Sequence, residues 1–431
     1  MTSPVTLITR DWLDWPQTRT LVHAFADTGQ ELRFVGGAVR DGLLGRAVRE
    51  VDAATPATPE RVTALLEQAG IKAVPTGIDH GTITAVVDGK PFEITTLRKD
   101  TACDGRHAEI AYTDSWEEDA QRRDFTMNAL YCSPEGDLFD YTGGAEDGRA
   151  GRVRFIGEAT QRIEEDGLRI LRFFRFFAHY GEGEPDVAAL AACGEKAAML
   201  DSLSGERIQT EMLKLLTSPN IAATLGQMQQ TDVLPHVLPL PAVPPSLTHL
   251  PNMCAALDCG QDGEVALVLL LRSLPESERS EALEELAARW KLSGMTQKRL
   301  KILLAEKLLA AGTDEATLKR HIRRLGAEWF GDLVLISACT PSLTLPLQGE
   351  RSGGEAATGG GGVKELSSYR AMRTLAREWQ PPTFPITGDD LKTLGIAPGP
   401  DMGRLLKELE SYWEAEGYAP DRKALLGRAA P

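Results

Sequence analysis

The sequence predicts an α+β protein in which a mixed α/β head over residues 1–150 is followed by helices alone. Three observations predict it. Short β-branched runs alternate with helical stretches only in the first third of the chain, and beyond Gly157 the text reads as successive amphipathic helices. A length of 431 residues also exceeds what one ordinary core organises, so roughly two to four structural units are expected.

In the head, Leu32–Val35, Val51–Ala54, Thr82–Val87 and Phe92–Leu97 are β-rich runs bounded by turn residues, and each is expected to be a strand. PERVTALLEQAG has helical spacing and opens with Thr58 as N-cap and Pro59 at the first position, where a missing N–H costs nothing. The remainder divides into helical segments at residues 151–217, 218–340 and 363–431. Between the last two lies PSLTLPLQGERSGGEAATGGGG, residues 341–362, too rich in Gly, Ser and Pro to build a core and expected to be a flexible insertion without chemistry.

Hydrophobic residues at 42% and charged residues at 25% are globular composition, and the longest apolar run, Val265–Leu271, is far short of a membrane span. The N-terminal MTSPVTLITRDWLDWPQ has no basic region followed by an apolar stretch, so a cytoplasmic rather than a secreted protein is expected. Cys103, Cys132, Cys193, Cys254, Cys259 and Cys339 form no CxxC pair and are expected to be reduced thiols outside any zinc site or disulfide framework. The net charge of −15 argues against a protein that coats nucleic acid, yet Arg289–Glu328 holds ten Lys/Arg against four Asp/Glu. That local excess of +6 marks either a phosphate-facing surface or a solvated helix face.

The first chemical constellation runs from RFVGGAVRDGLLG to REVDAAT, Arg33–Thr55, and reads strand, tight turn, helix, strand. Gly36 and Gly37 let backbone N–H groups approach an anion at a helix start, and Arg40 one turn on could reach the same phosphates. Glu50 and Asp52 are expected to alternate along a strand, project from one face and share divalent cations. Such a pair suits two-metal phosphoryl transfer; a solvated acidic strand end is the alternative.

VGGAVRDGLLG, the acidic pair, RRDFTMNAL (Arg122–Leu130) and EDGLRILRFFRF (Glu165–Phe176), in that order, resemble the class II tRNA nucleotidyltransferase and poly(A) polymerase family. The similarity continues through SGERIQTEMLKLL (Ser204–Leu216) and resumes at ITGDDLKTLGIAPGPDMGRLL (Ile386–Leu406). The resemblance implies a polymerase β-like head with a mixed sheet, then helical neck, body and tail. It implies Mg2+ held by Glu50 and Asp52, with CTP, ATP and the acceptor end and elbow of tRNA as partners. Arg123 matches the family's nucleotide-contacting arginine, while Asp124 and Asn128 are expected to organise the loop by hydrogen bonding. RKDTACDGRHAEIAYTDSWEEDAQ resembles the family's flexible loop, associated with the switch from C to A addition. His107 within it and His80 in GIDHGT are not expected to be general bases. Glu50 departs from the family, which normally places Asp at the first metal position.

Asp166 and Arg169 are three apart and expected on one helical face, an acceptor beside a forked donor. Cytosine and adenine both present an exocyclic amino group beside an unprotonated ring nitrogen, whereas uracil and guanine present a carbonyl beside a protonated one. Such a pair would therefore accept C and A and reject U and G; an exposed ion pair is the alternative reading. Arg172 and Arg175 continue at the same spacing and are expected to line a triphosphate, with the interleaved phenylalanines packing the helix on the head. Glu93 in PFEITTLR could be a third carboxylate at the metals or a strand-edge ion-pair partner of Arg98. A poly(A) polymerase usually shows a basic G-R-R-F-R-like strand where AVPTGIDHGTITAVV stands, which favours CCA addition. A non-catalytic tRNA-binding protein with a degraded metal site is the remaining alternative.

Overall fold

The computed structural model describes residues 7, 9–77, 81–100, 110–238, 242–340 and 360–429. His80, the DGRH core with His107 and most of the glycine-rich insertion lie outside these residues. The chain forms two compact units, Met1–Ala242 and Val243–Pro431.

The first unit begins with α1 (Pro16–Phe25), β1 (Arg33–Val35), α2 (Gly37–Leu43), β2 (Asp52–Thr55), α3 (Pro59–Gln68), β3 (Lys72–Gly77), β4 (Thr82–Val87) and β5 (Lys90–Thr96). It continues with β6 (Arg98–Asp100), β7 (Ile110–Tyr112), α4 (Trp116–Gln121), β8 (Leu130–Cys132), β9 (Leu138–Asp140) and α5 (Gly144–Arg149). Then come α6 (Ala159–Glu165), α7 (Leu168–Tyr180), α8 (Val187–Glu195), α9 (Gly205–Leu215) and α10 (Ile221–Gln230). Seven strands form one sheet in the order β3-β4-β5-β2-β1-β8-β9, antiparallel except for the parallel pair β2–β5, so the head is the mixed sheet expected.

Local chemistry accounts for these elements. The Thr58 hydroxyl accepts from the Arg61 N–H and Pro59 opens α3, as the sequence predicts. The expected strand at Phe92 starts two residues earlier, because Asp88 and Gly89 both take positive φ and close a two-residue hairpin that pairs Val87 with Lys90. One face of the sheet packs on α1 to α3 through Trp12, Leu21, Phe34, Leu65 and Phe92, each at most 2% exposed. The phenylalanines of α7 dock it on the head: Phe173 stacks on Phe155 at 5.8 Å and Phe176 meets Phe125 at 5.3 Å between ring centres.

The second unit is helical, with α11 (Ser246–Ala256), α12 (Gly263–Arg272), α13 (Arg279–Trp290), α14 (Gly294–Ala305), α15 (Glu315–Cys339), α16 (Gly360–Glu378), α17 (Gly388–Thr393), α18 (Pro400–Ala415) and α19 (Arg422–Ala429). The expected insertion therefore ends earlier than residue 362, since α16 begins at Gly360. The apolar run Val265–Leu271 is wholly buried inside α12, and no described helix is long and apolar enough to cross a membrane. Much of the local positive excess is neutralised within this unit. Arg299 is clasped by Asp262, Glu264 and Asp332 at 2.8 Å each, Arg323 pairs with Glu410 and Glu414, and Arg324 pairs with Glu306. Lys291, Lys298, Lys301 and Lys307 of the same stretch are exposed.

Candidate active site

Asp52 opens β2, and the parallel register that sets Ala53 beside Ile94 carries Glu93 of β5 next to it on the same side of the sheet. Glu50 does not alternate with Asp52 along the strand as expected. It lies in the irregular, exposed lead-in that begins after α2, because β1 pairs with β2 only from Asp52 onward. The Asp52 carboxyl is pushed up to about 6, by desolvation first and then by the neighbouring carboxylates of Glu93 and Glu50, against the opposing pull of Arg123. Asp52 nevertheless keeps solvent access, so the like-charge crowding is the cause that a bound ion could remove.

A divalent cation suits this donor set. A carboxylate crowded by like charges gains from a bound cation that offsets the repulsion. Among the described residues no three His, Cys, Asp or Glu side chains close on a point as a ready-made cage. Mg2+ does not require one, since it is ordinarily held by one or two carboxylates together with substrate phosphates and water.

Beside this cluster opens a cleft of about 450 Å³ lined by Gly36, Gly37, Arg40, Arg123, Asp124, Arg172, Arg175 and Lys214, five cations against one carboxylate. Gly36 stands at φ 70° and ψ −119°, a conformation open only to glycine, and this bend starts α2 at the cleft wall. Arg40 lines the cleft but is bound inward: its guanidinium donates to Asn128 at 2.7 Å, to the Tyr180 hydroxyl at 2.6 Å and to Asp41 at 3.0 Å. Asp124 accepts from Asn128 at 3.1 Å and from Arg172, the loop-organising role expected of it, and so ties α7 to the head. Arg175 faces Glu211 of α9 at 3.1 Å, and desolvation lowers its guanidinium pKa most.

The second cleft, about 360 Å³, shares Arg123, Asp124 and Arg172 with the first and is lined also by Asp166 and Arg169. The two residues meet on one wall, but not on one helical face. Asp166 is extended at φ −155° and ψ 105° between α6 and α7, and its carboxylate accepts the Leu168 N–H at 3.1 Å while Arg169 sits in the first turn of α7. Aspartate followed by glycine competes with a continuous helix by capping a new one, a start signal legible in the sequence. Arg207 of α9 donates to both Asp166 oxygens at 3.0 and 2.8 Å, and Arg169 donates to the Arg162 carbonyl at 2.7 Å.

Sequence reasoning missed Asp119, whose side chain is 1% exposed. It accepts from Arg122 at 2.9 Å, from Arg123 at 2.9 Å and from the Tyr131 hydroxyl at 2.6 Å, so it fixes the guanidinium that lines both clefts and acts electrostatically on Asp52. Neighbouring Arg123 and Arg122 hold its carboxyl well below the usual range despite the opposing, larger effect of burial. Asp119→Ala is expected to lower stability by about 3–5 kcal/mol, because it strands two arginines, and a denaturant-unfolding curve measures it.

A family profile described as "Poly A polymerase head domain" matches residues 32–154, and one described as "Probable RNA and SrmB- binding site of polymerase A" matches residues 185–243. The chain is 34% identical over 417 residues to CCA tRNA nucleotidyltransferase 1, mitochondrial, of Homo sapiens, covering 95% of this chain and 88% of that protein. It belongs to the CCA tRNA nucleotidyltransferase family. A second relative, the CCA-adding enzyme of Limosilactobacillus fermentum, is 29% identical over 421 residues, 96% of each chain. The crystal structure of the Bacillus stearothermophilus CCA-adding enzyme in complex with CTP superposes with a TM-score of 0.71 at 25% identity, covering 96% of this chain and 98% of that one. Membership in the CCA tRNA nucleotidyltransferase family accords with a carboxylate cluster and an arginine-lined cleft meeting at Arg123.

Proposed function

We infer that this chain builds the CCA end of tRNA, adding C, C and A from CTP and ATP with release of pyrophosphate. The observation that carries the reading is the meeting of three features around one fixed guanidinium. Arg123 lies within electrostatic reach of Asp52, lines the cationic cleft and lines the neighbouring wall that bears Asp166 and Arg169. Relatives matched over most of their length and named CCA tRNA nucleotidyltransferase and CCA-adding enzyme support it over poly(A) synthesis.

Residues 1–150 then serve as the nucleotidyltransferase head, 151–217 as the neck that reads the base, 218–340 as body and 363–431 as a tRNA-binding tail. Asp52 and Glu50, with Glu93 beside them, would hold Mg2+, which when bound lowers the pKa of the RNA 3′-hydroxyl and offsets charge on the leaving pyrophosphate. Arg172 and Arg175 neutralise the triphosphate in the cleft, Gly36 and Gly37 keep its wall low enough for phosphate to approach, and Arg40 braces that wall through Asn128 and Tyr180. Asp166 accepts from the exocyclic amino group of C or A and Arg169 donates to the ring nitrogen. A cytoplasmic location belongs to this reading, and since the relative of Homo sapiens is named mitochondrial, cell fractionation is the measurement that checks it.

Incubation with tRNA lacking its last three nucleotides and each labelled nucleotide tests the reading. C, C and A followed by a stop is expected. Unlimited A addition would indicate a poly(A) polymerase, and binding without incorporation a non-catalytic tRNA-binding protein. Glu50 is one methylene longer than the aspartate usual in the family, and octahedral Mg2+ at about 2.0–2.1 Å tolerates little displacement. Glu50→Asp is therefore expected to lower the Mg2+ concentration for half-maximal incorporation; a titration curve unchanged from the parent chain contradicts the ligand role. The four exposed lysines around α14 contact the tRNA backbone in this reading, so affinity for tRNA should fall about tenfold or more between 50 and 200 mM salt. A filter-binding series that stays flat over that range would remove them from the interface.

A further inference from the structure

The C-terminal end of α11 brings two of the six cysteines together. The Cys259 N–H donates to the Cys254 carbonyl at 2.9 Å, the Asp258 N–H donates to the Ala255 carbonyl at 3.4 Å, and Asp258 takes φ 52°. These are the paired bonds and the left-handed residue of a Schellman ending, in which the side chains at the first and sixth positions meet. Those positions are Cys254 and Cys259. Backbone dimensions limit the α-carbon separation across a 2.9 Å bond to about 6.8 Å, inside the range a disulfide spans. The two thiols are near enough for each to act on the other, Cys254 as the side that keeps its proton. Both are free in the structure, Cys254 buried and Cys259 half-buried between the exposed Asp258 and Gly260.

The surroundings favour a sulfur anion at Cys259. Arg373 of α16 acts electrostatically on it, and its buried Nε has no hydrogen-bond partner among the described residues. The hydrogen bond from Cys254 lowers the Cys259 pKa first, with Arg373 adding to it, while the same bond and burial raise Cys254. The nucleophile is thus Cys259 and the resolving thiol Cys254. Cys339 at the end of α15 lies within electrostatic range of Cys259, yet no three ligating side chains among the described residues are placed to hold a metal ion. Redox chemistry between two thiols fits better than a soft-metal cage.

We propose that Cys254 and Cys259 form a reversible thiol-oxidation site in the helical second unit, which exchanges with small disulfides to give an intramolecular Cys254–Cys259 disulfide. The Cys259 thiolate attacks one sulfur of a small disulfide RSSR, whose S–S bond breaks to release RS⁻. Cys254 then gives its proton to solvent and attacks the Cys259 sulfur, releasing the second RS⁻. The pair loses two electrons and two protons, and the small disulfide is reduced to two thiols. The product fastens the last turn of α11 to the segment leading into α12, and a thiol reductant reverses it.

The test exposes the folded full-length chain to glutathione disulfide, quenches in acid, alkylates under denaturing conditions and maps the peptides by mass spectrometry. Loss of two alkylatable thiols, a Cys254–Cys259 linked peptide and full recovery with dithiothreitol are expected. Cys254→Ser should trap one glutathione at Cys259, Cys259→Ser should leave Cys254 unmodified, and brief alkylation of the native chain should label Cys259 at least about tenfold faster than Cys254. A stable glutathione adduct on the parent chain, a link from either residue to another cysteine, or modification only after unfolding overturns the proposal.

Discussion

Asp52→Asn is expected to lower nucleotide incorporation by about a thousandfold or more, with the fold intact. The asparagine amide is nearly isosteric but neutral, and it removes the charge at the centre of the carboxylate group formed with Glu93 and Glu50. The substitution separates function from stability because the two respond in opposite directions. In the folded chain the Asp52 carboxyl prefers its proton more than an ordinary aspartate, through desolvation and repulsion by its neighbours. Its ionised form therefore opposes folding at neutral pH, and a neutral side chain should leave the unfolding midpoint equal or higher. Single-turnover incorporation of labelled CTP on tRNA lacking its CCA end, read beside thermal unfolding, distinguishes the cases. Activity within about tenfold of the parent chain would place the reacting centre elsewhere. Lost activity together with a lowered midpoint would make Asp52 a structural residue.

The parts legible in sequence are those whose signal is local. Thr58 and Pro59 announce α3, and β4 runs over the six residues its alternation predicts because Asp88-Gly89 fixes the hairpin. The residues of the candidate site were legible as well, since four short motifs carry them, although folding divides each motif between neighbouring elements, as with the acidic pair split between a coil and β2. What escaped depends on partners far away in the chain. Asp119 sits among Glu117 and Glu118 and reads as one more surface acid, yet it is drawn inward by Arg122, Arg123 and Tyr131. The basic stretch looked like a phosphate face because its neutralising carboxylates, Asp262 and Asp332 for Arg299, Glu410 and Glu414 for Arg323, come from other helices. A charge count along the sequence cannot see pairing across it. The break between α6 and α7 is a different failure, since Asp166-Gly167 did carry a helix-start signal and helical spacing on both sides obscured it.

That break shapes the second large effect. Asp166→Ala and Arg169→Ala should each raise incorporation of UTP and GTP relative to CTP and ATP by about a hundredfold, because a site built to hydrogen-bond one base edge rejects the wrong edge by leaving its own polar groups unpaired. Asp166 has three tasks in the structure: it accepts from the Leu168 N–H as a cap for α7, it pairs with Arg207, and it faces the cleft. Loss of the cap alone is worth about 0.5–2 kcal/mol of stability and changes no base preference. The Arg207 pair is about half exposed and contributes little to stability. Arg207→Ala therefore serves as the control, since it frees Asp166 without removing the acceptor and should keep the preference for C and A. Competition between labelled nucleotides on one tRNA primer reads the preference directly, independent of how much active protein each variant yields. If Arg207→Ala relaxes selection as much as Asp166→Ala does, the ion pair holds the wall in shape and the base is read elsewhere. If only Asp166 and Arg169 relax it, two side chains on either side of a helix break do the work that a template strand does in other polymerases.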